Sequence, residues 1–149
     1  MVITGPDLTK AAPRSPRVRL GGYAILPRML DKGRATIAGK NGDYQFNCPM
    51  DRRLFDFTGI SPNALMNQLA TGKADELVLN WIRKSSPRPK TVSDVEVWSE
   101  LEARRAPMDI ESRKLFNSIQ EKVAPTRDDI MTWFDLLDVD DYVSFGGSA

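Results

Sequence analysis

LPRMLDKGRATIAG, residues 26–39, predicts an amphipathic helix, and this helix sets the class of the fold. Its apolar positions recur at spacings of three and four, which places them on one helical face. Pro27 suits the first turn, where its missing N–H would have no partner in any case. Gly33 is less favourable than alanine inside a helix, so we expect another backbone to approach closely there. The predicted apolar face contains Leu26, Met29, Leu30, Gly33 and Ile37, and Gly39 ends the helix.

Further segments repeat this helical pattern along the chain. Together with the first they predict an all-α fold of about seven short helices. The helix starts carry residue types that are favoured at N-caps and in first turns. These are Pro49, Ser61-Pro62, the capping pair Ser93 and Glu96, Asp109, and the capping pair Thr126 and Asp129.

The composition divides the chain into three parts. Residues 1–20 are rich in proline and arginine and predict an extended basic arm. Residues 21–138 predict a single helical domain, in which the Ser- and Pro-rich residues 85–91 could form an internal linker. Residues 139–149 predict a flexible tail, because they are acidic and then rich in glycine and serine.

The segment after the first helix is where extended structure is expected. Asn41-Gly42 is a turn-forming pair, and Tyr44, Phe46 and Cys48 alternate with polar residues behind it. This alternation predicts a short hairpin near residues 38–48.

The composition excludes several kinds of chemistry. The chain has 149 residues, one cysteine and no histidine. The absence of histidine excludes Ser-His-Asp and Cys-His catalysis and any metal site that uses histidine ligands. No segment is apolar enough for a signal peptide or a membrane span, so we expect a cytoplasmic protein with no membrane contact. No glycine-rich phosphate motif and no calcium loop is present, so neither a cofactor nor a metal ion is predicted.

Charge is distributed unevenly, although the net charge is only +1. Residues 1–40 carry eight Lys or Arg against two acidic residues, whereas residues 91–149 carry six against thirteen. The two regions can attract each other within the fold, or the basic region can face an anionic partner. The acidic run near the carboxyl end opposes a helix dipole, so we expect basic groups to neutralise it. That run consists of Asp135, Asp138, Asp140 and Asp141.

The leading functional hypothesis is a non-enzymatic module with an anion-binding surface near the amino terminus. Arg17 and Arg19 alternate in the extended arm and therefore point the same way. Guanidinium groups hold carboxylate and phosphate through two parallel N–H donors. The candidate residues are Arg14, Arg17, Arg19, Arg28 and Lys32, and the partner would be an anionic small molecule or an acidic protein surface. The alternative is internal pairing, of Arg28 and Arg34 with Asp31 and of the arm with the acidic C-terminal helices.

The second hypothesis is a thiol-dependent enzyme or a redox sensor. Cys48 directly precedes Pro49 at the start of a predicted helix, where the helix dipole stabilises a thiolate. Asp51 and neighbouring arginines would set the local charge, and the proton would need an acceptor other than histidine. The alternative is that Cys48 is a small buried apolar residue. Nucleic-acid binding is the weakest hypothesis, because the whole chain is nearly neutral.

The segments PRSPRVRLGGY, LPRMLDKGRA and NCPMDRRLFDFTGI, all within residues 7–59, resemble a bacterial family of small proteins known only as a domain of unknown function. The resemblance continues more loosely through Trp81-Ile82 and residues 132–141. It implies a stand-alone cytoplasmic bacterial protein. No reaction is assigned to the family, so the resemblance implies no catalytic residues.

Overall fold

The computed structural model describes residues 4–149, which contain seven α-helices and no strand. The all-α class predicted from the sequence is confirmed. The helices are α1 (Leu26–Ile37), α2 (Pro49–Thr58), α3 (Pro62–Ala70), α4 (Asp75–Ser85), α5 (Val92–Arg104), α6 (Ile110–Val123) and α7 (Trp133–Ser144).

Helix α1 supplies the middle of the main hydrophobic core. Its residues Leu26, Met29 and Leu30 are fully buried, in a cluster with apolar side chains of α2, α3, α4 and α5. Helix α3 packs against α1 at Gly33, where a β-carbon would lie 2.5 Å from the Leu69 side chain. A close neighbour is therefore present at this glycine, but it is a side chain and not the backbone that the sequence predicted.

Helices α6 and α7 form a second, smaller core. Phe116 of α6 is buried together with Leu136 and Val139 of α7. Phe134, also on α7, joins a third cluster with Ala24 and Ile25, which directly precede α1. Helix α7 therefore connects the small core to the start of α1.

Two of the predicted N-caps are confirmed and two are wrong. Ser61 accepts the Ala64 N–H at the start of α3, and Asp109 accepts the Ser112 N–H at the start of α6. The capping boxes found at the other two helices are Thr91 with Asp94 at α5, in place of Ser93 with Glu96, and Thr132 with Asp135 at α7, in place of Thr126 with Asp129.

Residues 38–48 form a loop of turns and not the expected hairpin. Tyr44 donates its backbone N–H to the Asn41 carbonyl at 3.0 Å, which closes a turn. Asn47 has a φ of 62°, in the left-handed region, and this interrupts the alternation that a strand requires. The Leu8 N–H also donates to the Lys40 carbonyl at 2.8 Å, so the N-terminal segment holds the start of the loop.

Helix α7 continues to Ser144, whereas the sequence predicted a flexible tail from residue 139. Two contacts account for the extension. Val139 is buried in the small core, and Asp141 forms an ion pair with Arg28 at 2.7 Å. Residues 139–144 are therefore part of the folded body.

Residues 4–25 reach α1 without forming a helix. Ile25 has a φ of 73°, which is strained for a β-branched residue. The conformation is held because the side chain is fully buried and the backbone N–H donates to the Pro16 carbonyl at 2.9 Å. Residues 1–3 of the predicted arm lie outside the described residues.

Candidate functional site

The three candidate arginines of the arm all form ion pairs with carboxylates of the helical body. Arg14 contacts Asp31 at 3.0 Å and Asp75 at 2.8 Å. Arg17 bonds Asp135 and Asp138, and Arg19 bonds Glu100 at 2.6 Å. This geometry matches the internal-pairing alternative, because the arm is attached to the acidic helices α5 and α7.

The ion pairs around Asp75 change the pKa of its carboxyl group. Burial acts to raise the pKa of Asp75, but hydrogen bonds from Arg14 and Arg34 outweigh it and lower that pKa below the ordinary value. Asp75 is therefore ionised in the folded protein and holds the arm against α1 and α4.

The other two candidate cations, Arg28 and Lys32, lie one turn apart on α1. Each is only 4% exposed, which is rare for a charged side chain. Arg28 pairs with Asp141 of α7 at 2.7 Å, and Lys32 pairs with Asp51 of α2 at 2.9 Å. Two buried cations are thus held side by side, each by a carboxylate from a different helix.

Arg28 and Lys32 line a cavity of about 880 Å³. The cavity lies among α1, the start of α2, α7, the loop after α1 and the N-terminal segment at Leu8-Thr9. Its other polar lining groups include Asp43, Tyr44, Cys48, Asp140 and Asp141, and its apolar lining includes Met50, Trp133, Leu137 and Phe145. A volume of this size accommodates a small organic molecule.

Both cations keep unused N–H donors. The Nη1 atom of Arg28 donates to Asp141 and to the Arg14 carbonyl, and Nη2 donates once to Asp141. Within residues 4–149, the Nε–H and the second Nη2–H of Arg28 therefore have no acceptor. Lys32 donates to Asp51 and to the Cys48 sulfur, which leaves one of its three N–H groups.

The carboxylates of the cavity outnumber its cations. Asp43, Asp140 and Asp141 line it, against Arg28 and Lys32. Burial, followed by the charge of Asp141, raises the pKa of Asp140 above its ordinary value. The surplus of negative charge disfavours a ligand that brings several negative charges of its own.

Tyr44 joins the two sides of the cavity. Its hydroxyl donates to Asp141 at 2.8 Å, and its ring lies 5.5 Å from the Arg28 guanidinium carbon. Burial, with a further contribution from the bond to Asp141, raises the pKa of Tyr44. The hydroxyl therefore stays protonated, and the Tyr44 ring stacks against Phe145 at the edge of the cavity.

The two residues of the thiol hypothesis meet Lys32 at the same place. Cys48 is the N-cap residue of α2, and its sulfur accepts a hydrogen bond from Lys32 at 3.3 Å. Asp51 is fully buried, and its Oδ2 atom accepts from the Asn47 N–H and pairs with Lys32. Its Oδ1 atom has no donor within the described part of the chain. Lys32 is thus shared by the anion-binding and the thiol hypotheses.

The sequence did not single out several residues of the cavity. Trp133 and Leu137 carry a helical pattern that is typical of core packing, and both line the cavity. Asp140 and Asp141 were assigned to a solvated tail. The usable signal was the position of Asp141, one turn beyond Leu137, because a helix that continued to this point would bring its carboxylate to the same face.

The fold and this cavity define a small all-α protein with a charged cavity beside its central helix. Residues 10–143 match the family described as a domain of unknown function (DUF5069), and the chain belongs to that family. A search of curated proteins found no match. Among residues 4–149, no helix is long and apolar enough to cross a membrane, and no three acidic or thiol groups are placed to hold a metal ion.

Proposed function

We propose that this protein is a non-enzymatic binding module that holds a small molecule in the 880 Å³ cavity through a carboxylate group of the ligand. One observation supports this most strongly: Arg28 and Lys32 are both buried, line the same cavity and retain unused N–H donors. The arm arginines Arg14, Arg17 and Arg19 are left out of the proposed site, because each is paired with carboxylates of its own chain.

The charge balance narrows the proposed ligand class. A carboxylate brings a single negative charge, which the two cations can accept without the repulsion that a phosphate dianion would meet from the aspartates. An ammonium group on the same ligand would offset the carboxylate of Asp140. An apolar part would pack against Met50, Trp133 and Leu137. The proposed ligand is therefore a small amine–carboxylate with an apolar substituent.

Three probes that share one ring separate these contributions. Phenylalanine carries a carboxylate and an ammonium, phenylacetate carries the carboxylate alone, and phenethylamine carries the ammonium alone. By calorimetry we expect phenylalanine to bind most tightly and its affinity to fall with added salt. Phenethylamine binding as tightly as phenylalanine, or affinity that is indifferent to salt, would contradict an anion site at Arg28 and Lys32.

Arg28→Lys tests the anchor without removing its charge. Lysine can keep the ion pair with Asp141 but lacks the Nε–H and the planar fork, so we expect phenylalanine to bind about tenfold more weakly. Arg34→Lys is the matched control, because Arg34 lies on the same helix and pairs with Asp75 outside the cavity lining. Equal losses in the two variants would remove Arg28 from the proposed site.

The second candidate function uses Cys48 as a nucleophile or redox-sensitive thiol. It is supported by the hydrogen bond from Lys32 to the sulfur and by the position of Cys48 in the cavity lining. In this function Lys32 stabilises negative charge on sulfur, and Asp51 holds Lys32 in place. When the Cys48 thiolate attacks iodoacetate, a sulfur–carbon bond forms and iodide leaves.

Alkylation of the native chain tests this second candidate. We expect iodoacetate to modify native Cys48 at pH 7 faster than it modifies the urea-unfolded chain, because the Lys32 ammonium, 3.3 Å from the sulfur, attracts the anionic reagent. Lys32→Met should abolish the advantage of the folded state. If the thiol reacts only after unfolding, Cys48 has a packing role and this second candidate is wrong.

The remaining parts of the proposal concern the source and location of the protein. We propose a cytoplasmic location, because a lone thiol is kept reduced in that compartment. A bacterial source, which the resemblance implies, is in keeping with it.

A further inference from the structure

A second cavity, of about 210 Å³, lies where the end of α4 meets the start of α5. Residues 86–91 connect the two helices, and Gly21 and Tyr23 form the opposite wall. None of the residues in this lining is part of the 880 Å³ cavity.

The most informative group in this cavity is the hydroxyl of Tyr23. Tyr23 is only 3% exposed, and its ring packs edge-on against Phe57 and Trp98. Its hydroxyl has no hydrogen-bond partner among residues 4–149, and burial raises its pKa, so it stays a neutral O–H donor. Tyr23 belongs to the lining of the cavity, so a ligand bound there would find this O–H group available as a donor.

Two cations line the same cavity, and the Nζ atom of one of them, Lys90, lies 4.5 Å from the centre of the Phe57 ring. Arg83, at the end of α4, is close enough for its charge to act on Tyr23, and Lys90 lines the same cavity. Within the described part of the chain neither forms an ion pair with a carboxylate, in contrast to the cations of the larger cavity.

The chain leaves room for the Arg83 head group. Gly21 has a φ of 58°, and a β-carbon there would lie 3.0 Å from the Nη2 atom of Arg83 and closer still to Leu79. Glycine at this position therefore meets both a backbone requirement and a spatial one.

No acidic residue belongs to the lining of this cavity. The carboxylate that lies nearby along the chain is Asp94, which accepts the Thr91 N–H at 2.8 Å in the capping box. That bond, with a smaller contribution from the charge of Lys90, lowers the pKa of Asp94. Asp94 is thus engaged in the capping box of α5, and the residues that line the cavity carry a net positive charge from Arg83 and Lys90.

From these contacts we infer that Tyr23, Arg83 and Lys90 form a binding site for a phosphate group. Donors that approach from three separate segments suit a tetrahedral oxyanion better than a planar carboxylate, and a volume of about 210 Å³ limits the ligand to free phosphate or the head of a small phosphomonoester. This site is separate from the carboxylate site proposed above and does not depend on it.

The test is a titration of the ¹⁵N-labelled full chain with inorganic phosphate, at an ionic strength held constant with sodium chloride. We expect saturable shifts at the backbone amides of Gly21 and Thr91 and at the Arg83 Nε–H. Glycerol 1-phosphate and acetate form the two further arms. Binding of glycerol 1-phosphate as well as phosphate supports a phosphomonoester, and binding of phosphate alone supports the free ion. Acetate binding as tightly as phosphate would overturn the inference.

Two variants and a control complete the test. Tyr23→Phe removes only a hydroxyl that has no partner in the chain, so we expect unchanged thermal stability and clearly weaker phosphate binding. Arg83→Gln should weaken binding about tenfold. Lys84→Gln, next to Arg83 but outside the lining, should bind as the native chain does. Undiminished phosphate affinity in Tyr23→Phe or in Arg83→Gln would contradict the assignment.

Discussion

Asp140 is a single residue whose titration reports on the electrostatics of the large cavity. Its pKa is raised by burial and by the neighbouring charge of Asp141, so the folded protein binds a proton at this position more readily than the unfolded chain does. For a raised pKa, the associated stability is present below the unfolded value near 3.8 and is lost as the pH rises through the folded value. At neutral pH the charge of Asp140 therefore opposes folding.

Asp140→Asn should accordingly stabilise the fold at pH 7. We expect a gain of about 0.5 kcal/mol in the free energy of unfolding, kept small because the carboxyl is partly solvated. The gain should shrink as the pH falls through the raised pKa of Asp140 and vanish below about 3.8, where Asp140 is neutral in the folded and in the unfolded chain. Urea unfolding at several pH values measures it.

Asp138→Asn is the matched control for this measurement. Asp138 lies on the same helix, but it accepts hydrogen bonds from Ser15 and Arg17, so its neutralisation should lower stability at pH 7. If the two variants change stability in the same direction, the environments inferred for these two carboxylates are wrong.

For single residues, the sequence predicted features that depend on the position within one helix, but not the contacts between distant segments. A close neighbour was expected at Gly33, and one is present, although it is the Leu69 side chain and not another backbone. Arg28 and Lys32 were predicted as candidate cations, but their partners Asp141 and Asp51 were not predicted, because contacts between distant segments depend on how the helices pack. Local propensity does not encode that packing.

Among the helices, α7 has the largest influence on the candidate site. It supplies Trp133, Leu137, Asp140 and Asp141 to the cavity lining, and it packs on both α5 and α6. Its second half also places Asp141 against Arg28, and without that carboxylate a buried cation would have no ionic partner. The integrity of the cavity therefore depends on the last turns of this helix.

Removal of those last turns should destabilise the whole protein. A chain that ends at Asp138 loses the Asp141 carboxylate and the buried Val139 side chain, so we expect the free energy of unfolding to fall by about 3–5 kcal/mol. A chain that ends at Gly147 loses only two terminal residues and should stay within about 0.5 kcal/mol of the full chain. Urea unfolding of both chains compares them, and equal stabilities would mean that residues 139–144 do not contribute to the fold.

The helices themselves were predictable, whereas their boundaries depended on tertiary contacts. The number and order of the helices follow from apolar periodicity and from proline and glycine. Thr91 and Thr132 cap their helices in preference to Ser93 and Thr126, although serine and threonine both suit the position. Local chemistry leaves such neighbours equivalent, and packing decides between them. The extension of α7 has the same cause, since Val139 is buried in the small core and Asp141 pairs with Arg28.

At the scale of the whole molecule, the basic and the acidic region of the chain pair with each other within the fold. Residues 1–40 are basic and residues 91–149 are acidic, and the fold pairs Arg17, Arg19 and Arg28 from the first region with carboxylates of α5 and α7. Most of the charge that suggested an external partner is thus used to attach the N-terminal segment. What the fold leaves unused is local, at the buried N–H donors of Arg28 and Lys32 beside a cavity.

The side-chain Nε–H resonance of Arg28 tests the central claim most directly, because this donor has no acceptor among residues 4–149. In ¹⁵N-labelled protein titrated with phenylalanine, the resonance should shift with the same saturation curve as the Trp133 indole N–H. The Arg34 Nε–H, outside the cavity, should not move. A saturating change at Trp133 while the Arg28 resonance stays fixed, or no saturable change at either group, would contradict the proposal that buried cations on α1 anchor a carboxylate ligand.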